Sequence, residues 1–163
     1  RQKEPRGGKI DYDIDGRLVG NWFVENTGGY RGEGVVMDYW TSHLAFAYDG
    51  LAPSLIIVSI GDYGGEAQQF AVKGNAPDPA KISADSGLVK YELVPFDYKT
   101  EDGGDWERWS FAKVTKTFRF DDNVNGVVLV QMVEDRKIRF EAFPGKTASQ
   151  VSGFTDNART YER

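Results

Sequence analysis

The sequence predicts an all-β fold: an antiparallel up-and-down barrel of about eight or nine strands, with a β-sandwich as the alternative. Three observations carry this. Glycine supplies 19 of the 163 residues, about 12% against an average of about 7%, and it falls between short apolar runs, as turns between strands do. Several runs alternate apolar and polar side chains with the period of two that a half-buried strand imposes. No apolar stripe of period 3.6 lasts three turns, which leaves at most single helical turns near Pro79–Lys81 or Gly16–Val19. A hydrophobic share of 40% over 163 residues is enough for one core and one domain.

In chain order, Arg1-Gln2-Lys3-Glu4-Pro5-Arg6-Gly7-Gly8 reads as a flexible polar arm, and residues 9–163 as a single barrel domain. Asn21–Glu25, Val35–Trp40, His43–Tyr48, Leu55–Ile60 and Gln68–Val72 have strand composition, with corners at Asp49-Gly50 and Gly61-Asp62-Tyr63-Gly64-Gly65. The unbroken apolar run Leu55-Ile56-Ile57-Val58 predicts a strand covered on both faces. Asn75-Ala76-Pro77-Asp78-Pro79 forbids regular pairing, because its prolines delete ladder donors. Leu88–Val94 resumes a strand before a charged loop at Lys99–Asp105. Lys113–Phe120, Val127–Val133 and the alternation of Ile138, Phe140 and Ala142 predict three consecutive strands of a meander. Asp121-Asp122-Asn123-Val124-Asn125-Gly126 and Glu134-Asp135-Arg136-Lys137 would be its corners.

Gly16-Arg17-Leu18-Val19-Gly20-Asn21-Trp22-Phe23 resembles the start of a lipocalin-like (calycin) barrel, where a short turn leads to Gly-x-Trp on the first strand. Here Gly-x-Trp is Gly20-Asn21-Trp22. The resemblance covers about eight residues together with the strand rhythm, and the family's mid-chain Asp-Tyr signature has no secure counterpart. It implies a cup-shaped barrel holding a small apolar ligand, with Trp22 plugging the closed end. A basic residue of the last strand, Arg159 or Arg163, would stack on that tryptophan.

Net charge is −5, which disfavours a nucleic-acid groove, since such a groove needs a basic surface. No apolar run approaches the ~18–20 residues of a bilayer span. Cysteine is absent, which removes disulfides, thiolate metal sites and cysteine nucleophiles. Nucleophilic catalysis has little to draw on: His43 is the single histidine, Ser42 beside it faces the other way on a strand, and Ser59 and Ser110 lie in no Gly-x-Ser-x-Gly elbow. Gly29-Tyr30-Arg31-Gly32-Glu33-Gly34 lacks the strand–helix context of a phosphate cradle and reads as a hairpin tip. The chain opens at Arg1 without a basic–apolar–small leader, which fits a secreted or periplasmic protein already processed.

Two segments have ligand chemistry for calcium. Asp11-Tyr12-Asp13-Ile14-Asp15-Gly16 and Asp121-Asp122-Asn123-Val124-Asn125-Gly126 match the opening half of a calcium loop. Alternate oxygens there would point at one centre from Asp11, Asp13 and Asp15, and from Asp121, Asn123 and Asn125. Both fail the full EF-hand pattern, since Trp22 and Met132 occupy the positions that need Glu, so a strand with a solvated face and a hairpin turn are the plainer readings. Bound calcium would raise the melting temperature.

The aromatic complement of 10 Phe, 8 Tyr and 4 Trp is spread over most strands. In a barrel, Trp22, Tyr39, Trp40, Phe46, Tyr48, Phe70, Tyr91 and Trp109 would line a pocket for an apolar ligand; in a sandwich they would be ordinary core. The expectation is therefore a non-enzymatic barrel that binds a small, mostly apolar molecule. The rivals are a self-assembling structural or adhesion subunit, calcium-stabilised, and a barrel cyclase or isomerase using His43 or a buried acid on an apolar substrate.

Overall fold

The computed structural model describes residues 13–29, 41–105, 114–119 and 122–163. Eight strands close into one antiparallel barrel. They are β1 (Gly20–Val24), β2 (His43–Tyr48), β3 (Ile56–Tyr63), β4 (Glu66–Val72), β5 (Val89–Val94), β8 (Gly126–Glu134), β9 (Lys137–Pro144) and β10 (Arg159–Glu162). Around the wall each pairs with the next of these in sequence, and β10 returns to β1, which is up-and-down topology. Between β5 and β8 the chain leaves the wall as a separate hairpin, β6 (Phe96–Thr100) with β7 (Val114–Arg119).

That hairpin corrects the expected meander. β7 pairs with β6, from Phe96↔Arg119 to Thr100↔Val114, and β8 pairs with β5 and β9 instead. The stretch read as a charged loop at Lys99–Asp105 begins inside β6. Asp122–Gly126 is consequently a crossing back to the wall and not a tight corner; it is fixed by Asn125 N–H donating to Leu93 O at 2.7 Å. The segment expected at Val35–Trp40 and the arm at residues 1–8 lie outside the described residues.

Alternation works as a strand requires. Leu44, Phe46 and Tyr48 of β2, Ile56, Val58 and Ile60 of β3, Tyr91 and Leu93 of β5, and Val128, Val130 and Met132 of β8 belong to one buried inner cluster. Each large side chain taken out of water there contributes about 1.5–3 kcal/mol. Two outer clusters explain the strands that lack alternation. Ile57, Ala71 and Val94 pack outside the wall with Leu55 and Phe96, so the start of the β6–β7 hairpin covers β3 as its unbroken apolar run predicts. Val127 and Leu129 pack with Phe143, Ala148, Val151 and Phe154, which lays the segment after β9 over β8. Lys90 Nζ fastens that segment by donating to Ala148 O at 3.1 Å and to Val151 O.

One end of the barrel is closed by the chain before β1 and the loop before β5. Leu18 N–H donates to Ile82 O at 3.0 Å and Val19 N–H to Pro79 O at 3.1 Å. Pro79–Lys81 is the single helical turn expected there, a 3-10 turn whose Ala80 N–H is capped by Asp78. Two tyrosines of the wall hold this loop: the Tyr48 hydroxyl donates to Asp78 Oδ1, and the Tyr91 hydroxyl donates to Pro77 O at 2.7 Å.

Candidate functional site

At the closed end Trp22 is fully buried and its Nε1–H donates to Leu18 O at 2.9 Å. The Arg163 guanidinium, just past β10, lies 4.0 Å from the Trp22 ring centroid. It donates to Val19 O at 2.8 Å and to Ile14 O and Arg17 O at 2.5 Å each. Of the two basic residues expected to cover Trp22, Arg163 does so, and Arg159 serves the opposite end. Gly20 has φ +120°, and a Cβ there would fall 2.1 Å from Asp13 Oδ1 and 2.7 Å from Arg163 Nη1. Only glycine fits where backbone, carboxylate and guanidinium converge.

The opposite end is the mouth. Around the ring β3 and β10 are separated by β2 and β1, yet three contacts reach across from the β3–β4 turn. Arg159 Nη1 lies 3.4 Å from Asp62 Oδ2. The Tyr63 hydroxyl donates to Asn125 O at 3.0 Å, and Gly64 faces the Pro144 ring, so that a Cβ on Gly64 would lie 3.8 Å from it. A bulge aims this turn. Ile60 pairs with Gln68 and Tyr63 with Glu66, so Gly61 and Asp62 stand opposite Ala67 alone. An extra residue bends a strand and redirects its side chains. Asp62 is then pinned by accepting the Gly65 N–H on Oδ1 at 3.0 Å, which leaves Oδ2 for Arg159.

Beneath these contacts is a depression of about 230 Å³, lined by Phe140, Ala142 and Tyr161 below and by Asp62, Pro144 and Arg159 at the rim. A second depression of about 140 Å³ is lined by Val24, Thr27, Thr41, Ser42 and again Arg159. Arg159 is thus a wall common to both. The Tyr161 hydroxyl is pushed up to about 12 by burial, with Arg159 pulling it down and Asp62 pushing it up, so it stays protonated at neutral pH.

The expected pocket residues fall as follows. Trp22, Phe46, Tyr48, Phe70 and Tyr91 are all buried in the inner cluster, Trp22, Phe46 and Tyr91 with no exposed surface. Tyr39, Trp40 and Trp109 lie outside the described residues. Phe46 links Tyr91 to Phe140 with centroids 5.8 and 6.4 Å apart, and Phe140 meets Tyr161 at 5.5 Å. An aromatic column therefore runs from the closed end to the floor of the mouth. Phe140, Tyr161 and Asp62 are the site residues the sequence reading missed, and Arg159, expected as a candidate cover for Trp22, stands with them instead.

Of the expected calcium ligands, those among the described residues stand as follows. Asp13 Oδ1 accepts the Asn21 N–H at 2.7 Å and lies 3.9 Å from Arg163, whereas Asp15 points out to Arg136 at 3.8 Å. Asn123 and Asn125 are exposed. Asp11 and Asp121 lie outside the described residues, among which no three acidic or imidazole side chains gather as a metal site. His43 Nε2–H donates to Asn21 Oδ1 at 3.1 Å, and His43 lines neither depression. Among the described residues no helix is long and apolar enough to cross a membrane. No family, curated protein or solved structure matches the chain.

Proposed function

We propose that this protein binds a small, mostly apolar molecule at the mouth of its barrel. The depression floored by Phe140, Ala142 and Tyr161 carries this reading, because it joins an apolar floor to a few convergent polar groups. Its volume, below the ~300–1,000 Å³ of drug-sized pockets, calls for a compact guest. The closed end supports a calycin-like barrel: a plugging Trp22 under the Arg163 guanidinium is the arrangement that the lipocalin-like resemblance implies. Such barrels suit binding in the mouth, since closure leaves no edge and concentrates the openings at the two ends.

The test uses a hydrophobic dye whose emission rises in apolar surroundings. Saturable binding to the wild-type protein is expected, together with monomeric elution in size-exclusion chromatography. Ala142→Leu fills the floor at a cost of about 1–3 kcal/mol and should weaken the dye by an order of magnitude or more while melting cooperatively. Absence of saturable binding, or equal affinity in Ala142→Leu, would remove the ligand reading; a defined oligomer that leaves the dye unbound would favour the assembling subunit.

A further inference from the structure

Arg159 is placed for more than its ion pair. A guanidinium carries five N–H donors, and Asp62 is its one charged partner among the described residues, at 3.4 Å and without a hydrogen bond. Beside it Tyr161 is 3% exposed and lines the same depression, and no described residue hydrogen-bonds its hydroxyl. Its ring is buried while its hydroxyl reaches solvent in the depression, whereas Tyr48 and Tyr91 spend theirs on the closing loop. The mouth thus presents unused donors from Arg159 and Tyr161 above an apolar floor, with the Asp62 carboxylate resting against the guanidinium; the other carboxylate of the lining, Glu141, is taken up by the Thr155 N–H and hydroxyl.

We infer that the guest is an organic anion: its carboxylate takes the donors of Arg159 and Tyr161 in competition with Asp62, while its apolar body lies against Phe140 and Ala142. This rests on the binding role proposed above and adds the charge of the ligand. Asp62 acts as an internal stand-in. It is tethered by Gly65 and keeps the guanidinium aimed across the mouth when no guest is bound. A planar carboxylate can then engage the fork with two parallel hydrogen bonds where Asp62 makes only a single ionic approach. Tyr161, held protonated by its burial, remains a donor to such a group.

The experiment compares 1-naphthaleneacetate with 1-naphthaleneacetamide, alike in shape and different in charge, by calorimetric titration of the wild-type protein and of Arg159→Gln, Asp62→Asn and Tyr161→Phe. The wild type should prefer the carboxylate by about tenfold or more, as a charge-assisted pair does over a neutral one. Arg159→Gln should abolish the preference. Asp62→Asn should strengthen the carboxylate several-fold by removing its competitor, and about 0.5 M salt should weaken it by screening. Arg159 is over half exposed, and Asp62 about one-third, so both variants should fold; Asp62→Asn, which predicts a gain, cannot succeed through damage. Equal binding of the two probes, a preference surviving Arg159→Gln, or an unchanged carboxylate affinity in Asp62→Asn would each overturn the inference and leave the binding role standing. Binding of neither probe would overturn both.

Discussion

Arg163 holds the closed end through one guanidinium with several duties. Its face covers Trp22 at 4.0 Å, its two terminal nitrogens serve three backbone carbonyls of residues 14–19, and Asp13 lies 3.9 Å away. Removing it exposes an indole face worth about 1–2 kcal/mol of cation–π attraction and strands the part-buried carbonyls of Ile14 and Val19 at about 1 kcal/mol or more each. Arg163→Ala should therefore lower stability by about 3–5 kcal/mol, read by urea unfolding, with a fall in Tm of about 10 °C. Arg163→Lys should recover only part of this, because a point charge cannot fork to three acceptors. A loss below about 1 kcal/mol in the alanine variant would mean that water replaces the guanidinium freely. This residue was half legible: the lipocalin-like resemblance implied a basic partner for Trp22, but the choice between Arg159 and Arg163 depends on which end of the short β10 each lies at, and that is set by the pairing of β10 with β1 and β9.

The β1–β2 pair shows how an element sets a titration. Asn21, Phe23 and His43 share the outer face of the wall, with Phe23 paired to His43 and their rings 5.7 Å apart. Burial holds the His43 pKa below its ordinary value of 6.5, since the charged ring loses water there. As pH falls below about 6.5 the unfolded chain takes up the proton before the folded one, so the neutral-state stability is lost progressively. Stability by urea unfolding should drop from pH 7.5 to 5.5, and His43→Gln, neutral throughout, should flatten that slope; equal slopes would mean that His43 is not responsible. At this scale the sequence reads well where a strand has a period or a solid apolar run, as β2, β3, β5, β8 and β9 do. It reads poorly at β6, Phe-Asp-Tyr-Lys-Thr, and at β10, Arg-Thr-Tyr-Glu. Both are short and charge-bearing, and their pairing comes from neighbours far along the chain.

Closure of the barrel is carried unequally around its wall. β8 and β9 pair from Gly126↔Pro144 to Glu134↔Lys137, a seam running the full length of the strands. β4 meets β5 only at Ala71↔Val94 and Val72↔Leu93, and β1 meets β10 only at Phe23↔Glu162 and Val24↔Tyr161. Residues Glu66–Gln69 of β4 are exposed, consistent with a wall that thins toward the mouth beside the β3–β4 turn. The candidate site stands where that wall is thin. It joins a bulge at Asp62 to a strand at Arg159, residues from distant parts of the chain that no local pattern connects, so the mouth was not legible although the barrel was. Local opening follows the density of buried contacts and ladder bonds. Hydrogen exchange should therefore lose protection first in peptides spanning β4 and β10 and last in those spanning β8 and β9. Occupancy of the mouth by 1-naphthaleneacetate should slow exchange in β10 and in the β3–β4 turn, the elements that carry Arg159 and Asp62, and leave β8 unchanged. Uniform protection around the wall would instead mean that the two short seams open only with the whole barrel.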